Sequence, residues 1–299
     1  MDIIDESRVV IQSLSPTWVG REDIEVAMLR LDLIHPVVQG NKWYKLRYNI
    51  DKALEEGYTR LLTFGGVYSN HLSATAGAAQ AYGLPCIGIV RGDEGTITPT
   101  MRQCHDMGME LYFISRQDYK RKNDPDFLAG LAEQFDQPYM IPEGGANEAG
   151  RLGAERIEWE IPEGYTHVCV SVGTGTTLVG LRNALPLGVR LCGYAPMKQG
   201  AYLEHELRPH MRQGKDVSWS ITDNWHFGGF GKSTDELLSF MNEFYTINHI
   251  PLDIIYTAKM MYGIQQQLRE GYFPAGSRIL CIHTGGLQGN ASASEKLNF

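Results

Sequence analysis

From Leu61 onward short apolar runs alternate with helical stretches, and this alternation limits the possible folds more than any other feature of the chain. Leu61-Leu62-Thr63-Phe64 reads as a strand that stops at Gly65-Gly66, and the Ala-rich residues 72–82 read as a helix packed closely on a sheet. Residues 85–90 are the next strand, 100–107 a helix and 110–114 another strand. The pattern restarts after Ile141-Pro142-Glu143-Gly144-Gly145-Ala146-Asn147. There, 150–160 reads as helix, 166–172 as a nearly continuous apolar strand, 189–194 and 278–282 as strands, and 252–270 as a long helix. Strands this apolar are covered on both faces, and their alternation with helices predicts βαβ units and parallel sheets. Two interleaved α/β units are expected, with boundaries near Lys42 and near 141–147.

A chain of 299 residues has ample length for a real core. Its formal net charge of -8 gives no general attraction for nucleic acid or anionic membranes, while leaving room for a local cationic pocket. No apolar run reaches the roughly 18 residues of a membrane span. Asp2, Asp5 and Glu6 are the opposite of a signal peptide's basic start. The five cysteines are odd in number and form no CxxC pair, so neither a disulfide framework nor a zinc or other metal site is expected. A cytoplasmic protein without nucleic-acid or membrane partners is the expectation.

Four motifs carry possible chemistry. Gly173-Thr174-Gly175-Thr176-Thr177 follows the apolar strand and precedes a helix, so backbone amides, hydroxyls and a helix N-terminus converge as they would on a phosphate. The loop has neither the Lys-Ser/Thr of a Walker motif nor the third glycine of G-x-G-x-x-G, and its other reading is an ordinary tight turn. Gly40-Asn41-Lys42-Trp43-Tyr44-Lys45-Leu46 places two lysines three apart, on one side if helical. Lys42 reads either as a solvated side chain or as an amine that attacks an aldehyde, with Lys45 depressing its pKa or binding the phosphate. Ser69-Asn70-His71 lies at a strand-to-helix junction, where capping competes with contacts to a cofactor oxygen and a substrate carboxylate. His283-Thr284-Gly285-Gly286 ends the last strand at its carboxyl edge, where ligands gather in open α/β sheets, and Tyr256 sits early in the long helix as a ring-stacking or proton-moving candidate.

Together these motifs, in order from Gly40 to Gly286, resemble the fold-type II pyridoxal-phosphate enzymes. The group they resemble most is the 1-aminocyclopropane-1-carboxylate deaminase and D-cysteine desulfhydrase family. The resemblance implies a tryptophan synthase β-like fold of two open parallel-sheet α/β domains with the cofactor in the cleft. A large domain would comprise residues 1–42 and 148–299, a small inserted one 43–147, and the usual assembly would be a homodimer. It makes Lys42 the lysine that carries pyridoxal 5′-phosphate, Lys45 a lysine near the phosphate, and residues 173–177 the phosphate loop. Asn70 corresponds to the partner of the cofactor's 3′-oxygen and Ser69, with Asn70 and His71, to substrate-carboxylate contacts. Tyr256 corresponds to an active-site tyrosine facing the cofactor.

Two positions bear on the reaction. The deaminases carry Glu after the tyrosine and Leu between His and Gly-Gly, where this chain has Thr257 and Thr284. A Glu near the pyridine nitrogen favours its protonation and makes the ring a strong electron sink; a neutral threonine does so less. Elimination of a good leaving group needs less carbanion stabilisation than opening a cyclopropane. The resemblance therefore implies a lyase that removes sulfide from a D-cysteine-like amino acid, with the deaminase as the alternative. Phe230 stands where relatives often carry tyrosine, which keeps open a cofactor-binding protein without turnover.

Overall fold

Ten strands form two sheets in the computed structural model, which describes residues 4–93 and 97–299. The larger sheet has the order β1-β2-β10-β7-β8-β9, made of Ile11–Ser13, Glu25–Arg30, Arg278–His283, His167–Ser171, Arg190–Tyr194 and Trp219–Thr222. All its pairings are parallel except β1 with β2. The smaller sheet, β5-β4-β3-β6, is wholly parallel and comprises Met109–Ile114, Cys86–Arg91, Leu61–Gly66 and Tyr139–Ile141. All four of its strands lie within 61–141, between the two stretches that supply the larger sheet.

Eight α-helices of eight or more residues occur among the described residues: α1 Asn41–Glu55, α2 Asn70–Tyr82, α3 Pro99–Asp106, α4 Pro125–Gln134, α5 Glu148–Glu155, α6 Thr176–Ala184, α7 Asp235–Asn248 and α8 Thr257–Arg269. Central strands such as β7, buried at every residue, have helices on both faces, which is why their sequences run apolar rather than alternating. The predicted helix over 150–160 is α-helical only to Glu155 and continues as a 3-10 turn, Arg156–Glu160.

The long helix expected from Leu252 begins at Thr257. Its start is set by Asp253, whose buried carboxylate accepts the amides of Ile255, Tyr256 and Thr257 at 3.1, 2.7 and 2.8 Å. A carboxylate holding those donors keeps 253–256 in a turn and gives the helix its cap. Tyr256 therefore stands just outside the helix with φ -114° and ψ -68°, aimed differently from a residue inside it.

The two sheets present their carboxyl ends to a common cleft. α1 spans the two units and is held at both ends of its first turns by close backbone approaches. Gly40 precedes it at φ +60°, and a Cβ there would lie 2.0 Å from the Thr284 carbonyl oxygen, at the end of β10. On the other side α5 crosses so closely that a Cβ on Gly153 would lie 1.8 Å from the Tyr44 carbonyl oxygen. Both contacts fix where the first turn of α1, and the lysines on it, can sit.

Candidate active site

A cavity of about 330 Å³ opens between the sheets and is lined from both. The smaller sheet contributes the β3–α2 loop with Ser69, Asn70 and His71, Arg91 from the end of β4, and Glu143 and Gly144 beyond β6. From the larger sheet come residues 173–177 after β7, Thr284 after β10, and Tyr256, Phe230 and Lys232. Lys42 and Lys45 enter from α1. Loops after adjacent parallel strands form such crevices because the strand order reverses there.

The phosphate-loop reading fits the local geometry. Gly175 adopts φ +80° as the residue before α6, so the loop turns its amides inward at the helix N-terminus. The Thr174 and Thr176 hydroxyls lie 3.0 Å apart, and Thr177 accepts a 2.7 Å hydrogen bond from Asn41. Gly173 has no side chain where Tyr256 passes: a Cβ would lie 3.3 Å from the Tyr256 ring. Lys45, 4% exposed, lines this region, and its side-chain amine makes no hydrogen bond or ion pair to any described residue. Burial, and then Lys42, pushes its pKa well below the ordinary lysine value. Buried cationic groups are otherwise found paired, so an anion is the missing complement. The residues thus fit a phosphate group: Lys45 with the hydroxyls and amides of 174–177 would hold it.

Lys42 is the second residue of α1, three before Lys45 and on the same face. Its amine donates to Asn41 Oδ1 at 2.8 Å and lies 6.0 Å from the Tyr256 ring centre. The amine faces the cavity with protein packed around it, and this desolvation lowers its pKa from 10.5 to about 8, with Asp253 opposing. A lowered lysine pKa means more neutral amine at pH 7, and only the neutral amine attacks an aldehyde. The rate at which cofactor-free protein captures pyridoxal phosphate is therefore expected to rise with pH and level off above about pH 8. Stopped-flow absorbance across that range checks it, and a rate still climbing well above pH 8 would show an unperturbed amine.

Ser69 caps α2, accepting the Leu72 amide at 3.2 Å, and also lines the cavity. Asn70 Oδ1 accepts from Gln288 at 2.5 Å, which aims its amide. A Cβ on Gly286 would lie 2.1 Å from Asn70 Nδ2, so glycine there makes the room Asn70 occupies. His71 is buried with Nε2 at 2.8 Å from the Thr63 hydroxyl, which itself donates to the Ile141 carbonyl. That network assigns the proton to Nε2. Burial, then Lys45 and Lys42, lower the His71 pKa well below the usual histidine value, so the ring is neutral. Tyr256 moves the other way: burial, then Asp253 and Glu143, raise its pKa, and its hydroxyl stays protonated.

Thr284 is 5% exposed and lines the cavity. Thr257 does not line it. Fully buried, Thr257 has its hydroxyl accepting the Asp253 amide at 2.7 Å, one half of the cap that starts α8. Of the two threonines, the structure brings Thr284 to the cavity and leaves Thr257 outside its lining. Phe230 does line the cavity, half exposed, edge-on to Tyr256 with ring centres 5.8 Å apart.

Sequence reasoning passed over Arg91, Glu143 and Asp253. Arg91 was within reach, because it follows a predicted strand at the carboxyl edge. Asp253, four residues before Thr257, carried the side-chain cap signal that would have shortened the helix. Among the described residues no cluster of His, Cys, Asp or Glu is arranged to hold a metal ion, and no helix is long and apolar enough to cross a membrane.

Known proteins agree with this geometry. The sequence pattern described as "Pyridoxal-phosphate dependent enzyme" matches residues 19–285. A Pyrococcus horikoshii protein provisionally named 1-aminocyclopropane-1-carboxylate deaminase is 31% identical over 288 residues, covering 91% of this chain and 88% of the relative. The D-cysteine desulfhydrase of Salmonella newport is 27% identical, covering 90% and 88%. A crystal structure of an ACC deaminase homologue superposes with a TM-score of 0.84 at 30% identity, covering 97% of this chain and 93% of that one. The chain is a member of the pyridoxal-phosphate dependent enzyme family, with the fold-type II architecture and pyridoxal 5′-phosphate as its cofactor.

Proposed function

We propose that this enzyme is a lyase that acts on a D-cysteine-like amino acid and releases pyruvate, ammonia and sulfide. The observation that carries the proposal is Thr284, a buried neutral hydroxyl on the cavity wall where the deaminases resembled above carry an apolar residue. Two buried acids lie near that wall: Asp253 is committed to three backbone amides, and Asp32 is paired with Arg30. Such a wall supports the departure of a good leaving group better than the opening of a carbon ring.

Pyridoxal phosphate, when bound, supplies an electron sink for the pair released at the amino acid's Cα. Lys45 and residues 173–177 would hold its phosphate, Asn70 its ring oxygen and Thr284 its ring nitrogen. Ser69 and Asn70, at the N-terminus of α2, would receive the substrate carboxylate, with neutral His71 behind them. Lys42, as a neutral amine, would take the Cα proton, and the Tyr256 hydroxyl, kept protonated, is available to donate. In the overall reaction the Cα–H and Cβ–S bonds break and sulfur leaves with its electron pair. The three-carbon enamine takes up water and loses ammonia to give pyruvate. We infer further that the small domain comprises 43–147, the large domain 1–42 with 148–299, and the assembly a homodimer.

The second reading, 1-aminocyclopropane-1-carboxylate deamination, is favoured by the names of the Pyrococcus relative and of the superposed structure. Products decide between them. Purified enzyme given D-cysteine is expected to release sulfide and pyruvate in equal amounts, with little product from L-cysteine, D-serine or the cyclopropane. A four-carbon keto acid formed from the cyclopropane, with no sulfide from D-cysteine, would establish the deaminase. A bound cofactor with no product from any of them would establish a binding protein.

A further inference from the structure

Lys259 is 2% exposed on α8, one helical turn after Tyr256, and it does not line the cavity. Burial lowers its pKa to about 8, with Asp253 opposing. Its partners are three main-chain carbonyls: Pro196 at 3.3 Å, His226 at 3.0 Å and Gly229 at 3.0 Å. It makes no ion pair with any described residue. A buried lysine satisfied only by neutral carbonyls costs desolvation that a methionine would avoid, so its geometry needs a reason.

The loop it grips supplies one. Phe227, Gly228, Gly229 and Gly231 all have positive φ, at 49°, 91°, 125° and 70°, so no regular ladder holds this stretch between β9 and α7. The His226 carbonyl also accepts the Gly229 amide and the Gly229 carbonyl the Lys232 amide, both at turn distances. The ammonium therefore bonds the two oxygens on which the turn is built. Directly after the second of them the loop carries Phe230 to the cavity mouth, edge-on to Tyr256, followed by Gly231, Lys232 and Ser233 on the cavity wall.

We propose that Lys259 is a positioning residue whose ammonium pins the 226–231 loop across the cavity mouth, placing Phe230 against Tyr256 and so setting the room left for the substrate's side chain. One helical turn then links a wall of the site to the anchor of its mouth. The proposal rests on the cavity being where the amino acid binds, and not on which amino acid it is.

The test compares the holoenzyme with its Lys259→Met and Lys259→Ala variants by hydrogen exchange resolved to peptides. Exchange of amides 226–232 is expected to accelerate at least about tenfold in both, as loss of charge-assisted hydrogen bonds implies, while β7 and β10 keep wild-type protection. The KM for the amino acid should rise more than kcat falls. Ammonium chloride should restore slow exchange in Lys259→Ala, where it can enter the carbonyl cage, but not in Lys259→Met, where the side chain fills it. Tetramethylammonium, without N–H donors, should restore neither. Unchanged loop exchange in Lys259→Met, acceleration spread equally over the central strands, or no response of the alanine variant to ammonium would each overturn the proposal. The exchange readout needs no turnover, so an enzyme inactive on D-cysteine would refute the proposed reaction and leave this test intact.

Discussion

Replacing Lys42 by alanine is expected to abolish covalent attachment of pyridoxal phosphate and to lower kcat/KM by about four orders of magnitude or more, the scale of losing a nucleophile that also moves a proton. Lys42 joins three properties that no other lysine among the described residues combines: an amine on the cavity wall, a pKa lowered to about 8, and a place 6.0 Å from the Tyr256 ring centre. Lys45 shares the helix face but is the more deeply buried of the two, and removing the charge of Lys42 relieves only the second of its two pKa-lowering influences. Lys45→Ala should accordingly keep the covalent bond and weaken cofactor affinity by roughly ten- to a hundred-fold, as expected for one charged hydrogen-bond donor. Visible absorbance of the two purified variants, titrated with cofactor, separates these roles. A Lys42→Ala protein with the wild-type visible band would remove the lysine from its assigned place.

Gly40→Ala is expected to be the most damaging single-methyl change near the site. Its backbone sits at φ +60°, and the added Cβ would meet the Thr284 carbonyl oxygen at 2.0 Å and the Gly285 amide at 2.6 Å. Both obstacles are backbone, so neither can swing aside as a long side chain would. The reciprocal face is equally tight, since a Cβ on Gly285 would lie 2.7 Å from Gln39 Cβ. Gln39 itself accepts the Gly286 and Leu287 amides at 3.1 and 3.2 Å, stitching the two segments together. Relief requires α1 to move off β10, carrying Lys42 and Lys45 away from the phosphate loop. Steric and backbone costs together amount to about 3 kcal/mol or more. Thermal unfolding should therefore fall by on the order of 5–10 °C, with a simultaneous loss of cofactor affinity. A variant with wild-type unfolding and cofactor binding would show that α1 is not held by this contact.

Much of this arrangement was legible in the sequence because each part has a local cause. Apolar runs such as 61–64 and 166–172 become doubly covered parallel strands, and Ser69 caps its helix through a hydroxyl one turn away. The glycine-threonine stretch 173–177 runs from a strand end into a helix start beside the cavity, as the strand-loop-helix spacing leads one to expect. What escaped reading depends on contacts between distant segments. The anchor of Lys259 is made with residues 63 and about 30 positions away, and nothing in the spacing near it points there. That Thr257 lies outside the cavity lining while Tyr256 lies inside it follows from the Asp253 cap rather than from residue type, because neighbouring residues at a helix start face different ways. The two lysines of α1 face the site only because Gly40 and Gly153 let backbones approach to contact.

Lys42, and not a neighbouring lysine, is expected to bond the cofactor. Borohydride reduction of the holoenzyme followed by peptide mass mapping reads that bond directly. A single reduced pyridoxyl adduct on the peptide containing Lys42, absent from the Lys42→Ala protein, is the predicted result. An adduct on Lys45, on Lys259 or on a surface lysine, with the Lys42 side chain unmodified, would contradict it.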